Sequence, residues 1–373
     1  MPLIFASLEP PEDPKSWSGS SKLLVQSLRK FGVVDEAIHV QLSPLEEGMH
    51  LLANAAWPLD MWKARYKSSS ARHKRFSEVA RTTLLGRKDT AGILQIGARF
   101  SCLGIGIPPV FGYHDGNAAV RYRFFDRGLL SPDRQATHLA WEREVYSGMA
   151  GIFVMSKWLA SSFITDFGIP ASKIHVVGAG INFETLPAVP ARSFAEPKFL
   201  FVGKEFERKG GEYLLQAFSK VHAAMPSATL TIVGPPVPAT APRGVIYEGF
   251  LSRSNPAQLQ RLNALFAAST ALVLPSIYEP FGISLLEGMA YGLPCVTVNR
   301  CALPEIVIHG STGLVAQPED AASLADALMQ LASDPERART MGNEGRRSVE
   351  LTQTWDAVAR RIKEILGSVY DIH

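Results

Sequence analysis

The sequence predicts an α/β protein built from two doubly wound, Rossmann-like domains that face each other across a cleft. Short β-rich runs, apolar on both faces, alternate with helix-length segments along most of the chain, which is the pattern of a parallel sheet covered on both sides. A stretch rich in Pro and Ala, "NFETLPAVPARSFAEPK", interrupts that alternation near residues 182–197 and reads as a linker. With 373 residues, 46% of them hydrophobic and 20% charged, the chain is long enough for two ordinary domain cores.

In the C-terminal half, strands are expected at 198–203, 228–234, 244–249, 271–276, 294–299 and 312–317, with helices at 211–224, 256–268 and 282–291. In the N-terminal half they are expected at 3–8, 92–97, 109–114, 151–156 and 174–180, and a long helical region runs from about Leu45 to Arg87. Asp334 as N-cap and Pro335 after it open a helix. Behind Thr354, "TWDAVARRIKEIL" places Val358, Ile362 and Ile365 on one apolar face that must dock on something. The domains are therefore drawn as 1–185, 186–350 and a final helix within 351–373.

Composition narrows the function. The formal charge of +3 is too close to balance to argue for a nucleic-acid partner. Cys102, Cys295 and Cys301 are scattered and form no C-x-x-C pair, which suits a reducing compartment and speaks against a disulfide scaffold or a zinc site. "MPLIFASLEPPEDPK" reads as a first strand, not a signal peptide, and "GILQIGARFSCLGIGIPPVFGYH" is broken too often to be a membrane helix. A cytoplasmic protein is expected.

The chemistry concentrates in "YEPFGISLLEGMAYGLPCV". Glu279 falls in the turn after a strand, at the sheet edge where open α/β folds bind ligands. Glu287 is the only ionisable side chain of an apolar helix and stands roughly 9 Å along its axis. A buried carboxylate needs a partner. One reading supplies a ligand with two diols, the ribose and the sugar of a nucleotide-diphosphate sugar, one for each glutamate; Gly282 then lets the phosphates reach the N–H groups of the first helical turn. The other pairs Glu287 with a buried Arg or Lys and leaves Glu279 as a solvated turn residue. In "FVGKEFERKGGEYLLQAF", Lys204, Arg208 and Lys209 precede a double glycine and a helix, and cations at such a turn can neutralise a leaving diphosphate without a metal. No D-x-D metal motif is present.

The pattern "FVGKEFERKGG … TIVG … PSIYEPFGISLLEGMAYGLPCV … PEIVIHGSTGLV", residues 198–333, resembles the nucleotide-sugar domain of retaining GT-B glycosyltransferases of family 4, the glycosyl transferases group 1. "WSGSS", "YHDGN" and "FVMSKWLASSFITDFGI … VVGAGIN" resemble the upstream domain more weakly. The resemblance implies a hexosyltransferase in which Glu287 contacts the donor ribose, Glu279 lies near the donor sugar, Arg208 and Lys209 hold the diphosphate, and the backbone of Phe281, Gly282 and Ile283 faces the donor. It implies front-face attack, with the departing phosphate taking the acceptor proton and no protein nucleophile. Where many members have Arg after the strand glycine, this chain has Lys204, which loses the bidentate fork, and Arg208 is its substitute. The resemblance also implies that the last helix crosses back onto the first domain, and that a histidine of that domain touches the donor sugar. His114, in "GYHDGN", is the candidate, and Asp115 either orients it or caps the turn.

Other features of the first half carry two readings each. In "SWSGSSK", Gly19 with Ser18 can approach the diphosphate or acceptor, or Ser18 or Ser20 can be a plain N-cap. Glu142 and Arg143 read as a solvated helix face. The basic run Lys63–Arg75 reads as solvated helix, with peripheral contact to an anionic acceptor or membrane surface as the second reading. The expected partners are a nucleotide-sugar donor and a saccharide, lipid-linked or small-molecule acceptor, with no cofactor and no metal. A dinucleotide oxidoreductase is disfavoured because "GAGINF" and "GIGIPP" carry Phe183 and Pro109 where G-x-G-x-x-G needs its last glycine. A nucleotide-sugar epimerase of the same fold and a non-catalytic nucleotide-sugar-binding protein remain as alternatives.

Overall fold

The structure, a computed structural model, describes residues 1–373 apart from 14–15, 88, 105, 107–108, 127 and the side chain of Ser18. The chain divides into two units, Met1–Gly178 with Trp355–His373, and Ala179–Thr354.

The first unit runs β1 (Leu3–Ser7), α1 (Ser20–Lys30), β2 (Val34–His39), α2 (Pro44–Ala53), α3 (Leu59–Lys67), α4 (Ser70–Leu84), β3 (Gly92–Ile96), β4 (Val110–His114), α5 (Ala118–Phe124), α6 (Pro132–Gly148), β5 (Gly151–Val154), α7 (Lys157–Thr165) and β6 (Ile174–Val176). Its six strands are parallel in the order β2-β1-β3-β4-β5-β6. β1, β4 and β5 are buried along their whole length, as strands covered on both faces must be. β2 was not anticipated: it is the edge strand, so Asp35 and Glu36 can face water and the apolar run that announces a central strand is missing.

The helical region from about Leu45 to Arg87 is three helices. Ser43 closes a capping box with Glu46 at the start of α2, and Ser69 accepts the Arg72 N–H at the start of α4. The segments 54–58 and 68–69 break the run between them.

The second unit runs β7 (Lys198–Val202), α8 (Gly211–Ala224), β8 (Thr229–Val233), β9 (Val245–Gly249), α9 (Pro256–Ala268), β10 (Ala271–Leu274), α10 (Ile283–Ala290), β11 (Cys295–Val298), α11 (Leu303–Ile306), β12 (Gly313–Ala316), α12 (Ala321–Ser333) and α13 (Pro335–Thr352). Its parallel sheet has the order β12-β11-β10-β7-β8-β9. In each sheet the chain steps away from its first strand in one direction and later returns to that strand's other side. The switch points are therefore β1/β3 in the first sheet and β7/β10 in the second.

The last helix, α14 (Trp355–Tyr370), belongs to the first unit. It lies on α1, where Asp356 accepts from Ser27 Oγ at 2.9 Å and pairs with Lys30 at 2.5 Å. At its other end the Tyr370 ring packs edge-on against Phe111 at 4.8 Å. These contacts fix which face of the amphipathic sequence is buried.

The first unit's interior holds polar groups. Glu142, which the sequence suggests as solvated, is only 6% exposed and accepts the Ala118 N–H at 2.9 Å, and burial pushes its carboxyl up to about 7. Burial likewise lowers His114 and His138 to about 3 and His73 to about 4, so all three are neutral in the folded protein near pH 7. Between about pH 4.5 and 6.5 the unfolded chain binds a proton at each histidine that the native state refuses, whereas Glu142 keeps in the native state a proton that the unfolded chain gives up. The three histidines outnumber the glutamate. The thermal midpoint should therefore fall as pH drops from 6.5 to 4.5, and Glu142→Gln should steepen that fall; a flat profile would count against neutral buried histidines.

Candidate active site

β7 and β10 are adjacent parallel strands, and the loops leaving their carboxyl ends, 203–210 and 275–282, are bound to each other. The Arg208 carbonyl accepts the Ile277 N–H at 2.9 Å, and Arg208 Nη1 donates to the Tyr278 carbonyl at 2.6 Å. Gly210 makes the contact sterically feasible. It sits at φ +74°, and a Cβ there would lie 2.0 Å from the Pro275 carbonyl oxygen.

Glu279 enters this junction 9% exposed, with Lys209 Nζ 2.7 Å and Arg208 Nη1 3.7 Å from its Oε2. Burial by itself raises the Glu279 carboxyl, but the charges of Lys209 and then Arg208 outweigh it and hold the group below the usual range. Arg208 is in turn gripped by Glu205, at 2.6 Å from Nη2 and 2.9 Å from Nε. Lys204 is exposed, with its ammonium 5.1 Å from the centre of the Phe250 ring.

α10 begins beside this cluster. Its N-cap is Gly282 at φ +90°, with no side chain capping the first turn. A Cβ at Gly282 would press on Leu303 at 3.0 Å and stand 3.5 Å from Glu279 Cγ. Ser284 Oγ, in the same turn, is buried without a hydrogen-bond partner. Phe281 is 5% exposed and Ile283 half-buried. The positive end of a helix thus stands next to two cations, a setting suited to an anion. One turn on, Glu287 is 3% exposed and its Oε2 accepts from Arg253 Nη2 at 2.7 Å.

The other expected residues lie in the first unit. Gly19, at φ +94°, is itself the N-cap of α1 and no side-chain hydrogen bond caps that helix, so Ser20 is not the cap; the Ser18 side chain lies outside the described residues. Trp17 donates its N–H to Glu9 at 2.7 Å and its indole Nε1–H to Asp115 at 3.1 Å. His114 is 1% exposed, with its ring packed edge-on against Tyr146 at 5.2 Å and Phe163 at 5.3 Å. In this position the ring reaches no surface, and the contact with a donor sugar expected of it is not one this packing offers. Asp115 stands at the strand's carboxyl edge. In the basic run, Arg72 is buried against the Tyr66 and Phe76 rings and paired with Glu47 at 3.2 Å, while Arg75 pairs with Glu46 and Glu78.

Residues 182–348 match the family of glycosyl transferases group 1. The match lies wholly inside the second unit and includes both loops of the β7/β10 junction. Among curated relatives, the Mycobacterium tuberculosis glycogen synthase is 31% identical over 212 residues, covering 53% of this chain and 49% of that one. The GDP-mannose-dependent alpha-(1-6)-phosphatidylinositol monomannoside mannosyltransferase of the same species is 25% identical over 244 residues, covering 60% and 63%. The chain thus spans about half to under two thirds of the length of these relatives. Among solved structures, sucrose-phosphate synthase from Thermosynechococcus elongatus superposes with a TM-score of 0.73 at 20% identity over 99% of both chains. Anabaena HepE, solved with UDP and glucose, superposes at 0.66 and 15% identity over 98% of this chain and 100% of its own. The fold is GT-B.

In the second unit, sequence reasoning named both glutamates and missed the partner of one. Arg253 lies in "FLSRSNP", a short loop at the carboxyl end of β9, and a lone cation at that edge was the available signal. Lys209→Met should leave Glu279 with one cation at 3.7 Å. At pH 7 the loss should be about 1–3 kcal/mol by denaturant unfolding. Because the lowered Glu279 pKa stabilises the fold above the unfolded value of 4.5 and stops doing so as pH falls through the native one, the difference from wild type should shrink in acid. An equal loss at all pH values would mean that the Lys209 stem, not its charge, matters.

Proposed function

We propose that the protein is a retaining, family 4 hexosyltransferase that moves a sugar from a nucleotide diphosphate to an acceptor hydroxyl without a metal. The observation that carries this is the β7/β10 junction, where Lys209, Arg208 and the uncapped start of α10 converge beside Glu279. On this reading the two cations and the amides of Phe281, Gly282 and Ile283 take up the charge of the departing diphosphate. Glu279 accepts a hydrogen bond from a donor-sugar hydroxyl. Glu287 accepts from the ribose diol, and Arg253, its present partner, moves aside or shares it. The departing phosphate takes the proton of the attacking hydroxyl, so no side-chain nucleophile is required. The group 1 match over this unit and the UDP and glucose bound by HepE support the assignment.

Thermal melts with UDP, GDP, ADP, TDP and NAD test it directly. A diphosphate present at about 100 times its Kd should stabilise the protein by roughly 2.7 kcal/mol. One of the four should raise the midpoint and NAD should not, and Glu287→Ala should abolish the shift. A shift with NAD alone, or with none of the five, rejects the proposal.

The reading extends to a peripheral position at a membrane, with the chain acting from the cytoplasmic side. Beside the basic run, Leu45, Met49 and Leu52 on α2 are 75%, 55% and 73% exposed, and Trp57 is 87% exposed. Exposed apolar side chains next in the chain to a basic run suit an anionic bilayer surface. Among the described residues no helix is long and apolar enough to cross a membrane. The wild-type protein should sediment with phosphatidylglycerol vesicles and not with phosphatidylcholine vesicles, and Trp57→Ser should weaken that binding. Equal recovery with both lipids would sink the idea.

A further inference from the structure

At the end of the second sheet opposite the Lys209 cluster lies a cavity that the proposed reaction does not use. α8 starts at the carboxyl edge and crosses back beside the parallel strands. Its last two turns therefore stand at the amino edge, together with the turns that lead into β8 and β9. Phe218 and His222 lie roughly 10 and 17 Å along α8 from Gly211. The cavity beside them has a volume of about 480 Å³, within the range of small-molecule sites.

Its walls are apolar and pinned in place. Leu215 and Phe218 line it from α8, and Pro226 and Pro242 line it from the two turns. Each turn is closed by its own hydrogen bond, Ala228 N–H to the Met225 carbonyl at 2.9 Å and Val245 N–H to the Pro242 carbonyl at 3.1 Å. His222, also in the lining, stacks on Phe218 with 5.8 Å between ring centres. Its Nδ1 is 3.0 Å from the Ala228 carbonyl, which can only accept, so that nitrogen carries a proton and the ring is held in one orientation. Gly244 makes room for this: it sits at φ +72°, and a Cβ there would lie 2.6 Å from His222 Nδ1.

Charge is added to these walls by one residue. Arg243 is exposed on the turn before β9, the lining contains no acid, and among the described residues no carboxylate pairs with its guanidinium. An aromatic and proline-walled cavity with one cation and no anion is complementary to a flat apolar body that bears a single negative charge.

We propose that this cavity binds a small aromatic carboxylate, its ring against Phe218, Leu215 and the two prolines and its carboxylate on Arg243. The site is separate from the β7/β10 junction and stands or falls independently of the transferase reading.

Ligand-observed NMR titration of the full chain with phenylacetate, its neutral counterpart phenethyl alcohol, and acetate tests the proposal. Phenylacetate should bind. Phenethyl alcohol, which lacks the charge, should bind at least about tenfold more weakly, and acetate, which lacks the ring, should not bind measurably. Arg243→Gln should bring phenylacetate down to the level of the alcohol. Ala223→Phe, which fills the cavity from an exposed helical position, should abolish binding of both. Lys209→Met should leave phenylacetate binding unchanged, because its charge belongs to the other end of the sheet. A cooperative melt of each variant shows that it is folded. Equal binding of phenylacetate and the alcohol, undiminished binding in Arg243→Gln or Ala223→Phe, loss in Lys209→Met, or no binding to the wild type overturns the site.

Discussion

A buried carboxylate must meet its counter-charge, and the second unit is arranged around that requirement. Glu279 is nearly out of water, so Lys209 has to be delivered to it across the gap between two strand ends. Delivery needs the 203–210 and 275–282 loops in contact, which in turn needs a residue without a side chain at Gly210. Arg208 serves both loops, gripping Glu205 on its own and a carbonyl on the other. The cation pair is thereby fixed beside the start of α10 before any ligand arrives. Such preorganisation is what electrostatic stabilisation of a leaving anion demands, because charges already in place need not reorganise during the reaction.

The two sheets reach equivalent crevices by different routes. The second has the strand order of dinucleotide-binding folds and the first that of flavodoxin, and each leaves one switch point at its carboxyl edge. Their contents differ. At β7/β10 Glu205 and Glu279 each have a cation, and the charges of Lys209 and Arg208 keep Glu279 ionised despite its burial. At β1/β3 Glu9 and Asp115 both accept hydrogen bonds from Trp17.

Much of this was legible in the sequence, for reasons that can be stated element by element. α8 and α9 fall at 211–224 and 256–268 because a double glycine and an Asn-Pro start mark their first residues and an apolar face marks their length. Central strands were visible because burial on both faces writes a continuous apolar run. β2 was not, because an edge strand is free to be polar. Glu279 and Glu287 stood out as charges in apolar surroundings. Arg253 did not, since an arginine in a polar loop looks like any other until the fold brings it to 2.7 Å from Glu287.

The first unit shows the limit more sharply. His114 and Glu142 were read from their neighbours in the chain, one as a site residue at a strand end and the other as part of a solvated helix. Both are buried, because strand pleat and helix face decide direction, and a shift of one residue or a quarter turn exchanges core for surface. The sequence by itself determined where strands and helices lie and which short segments carry charge at their ends, since these depend on local periodicity and on glycine, proline and capping chemistry. Tertiary structure alone decided which of those charges find partners and which do not, because pairing depends on distances between segments far apart in the chain, which only the order of strands in the sheet sets.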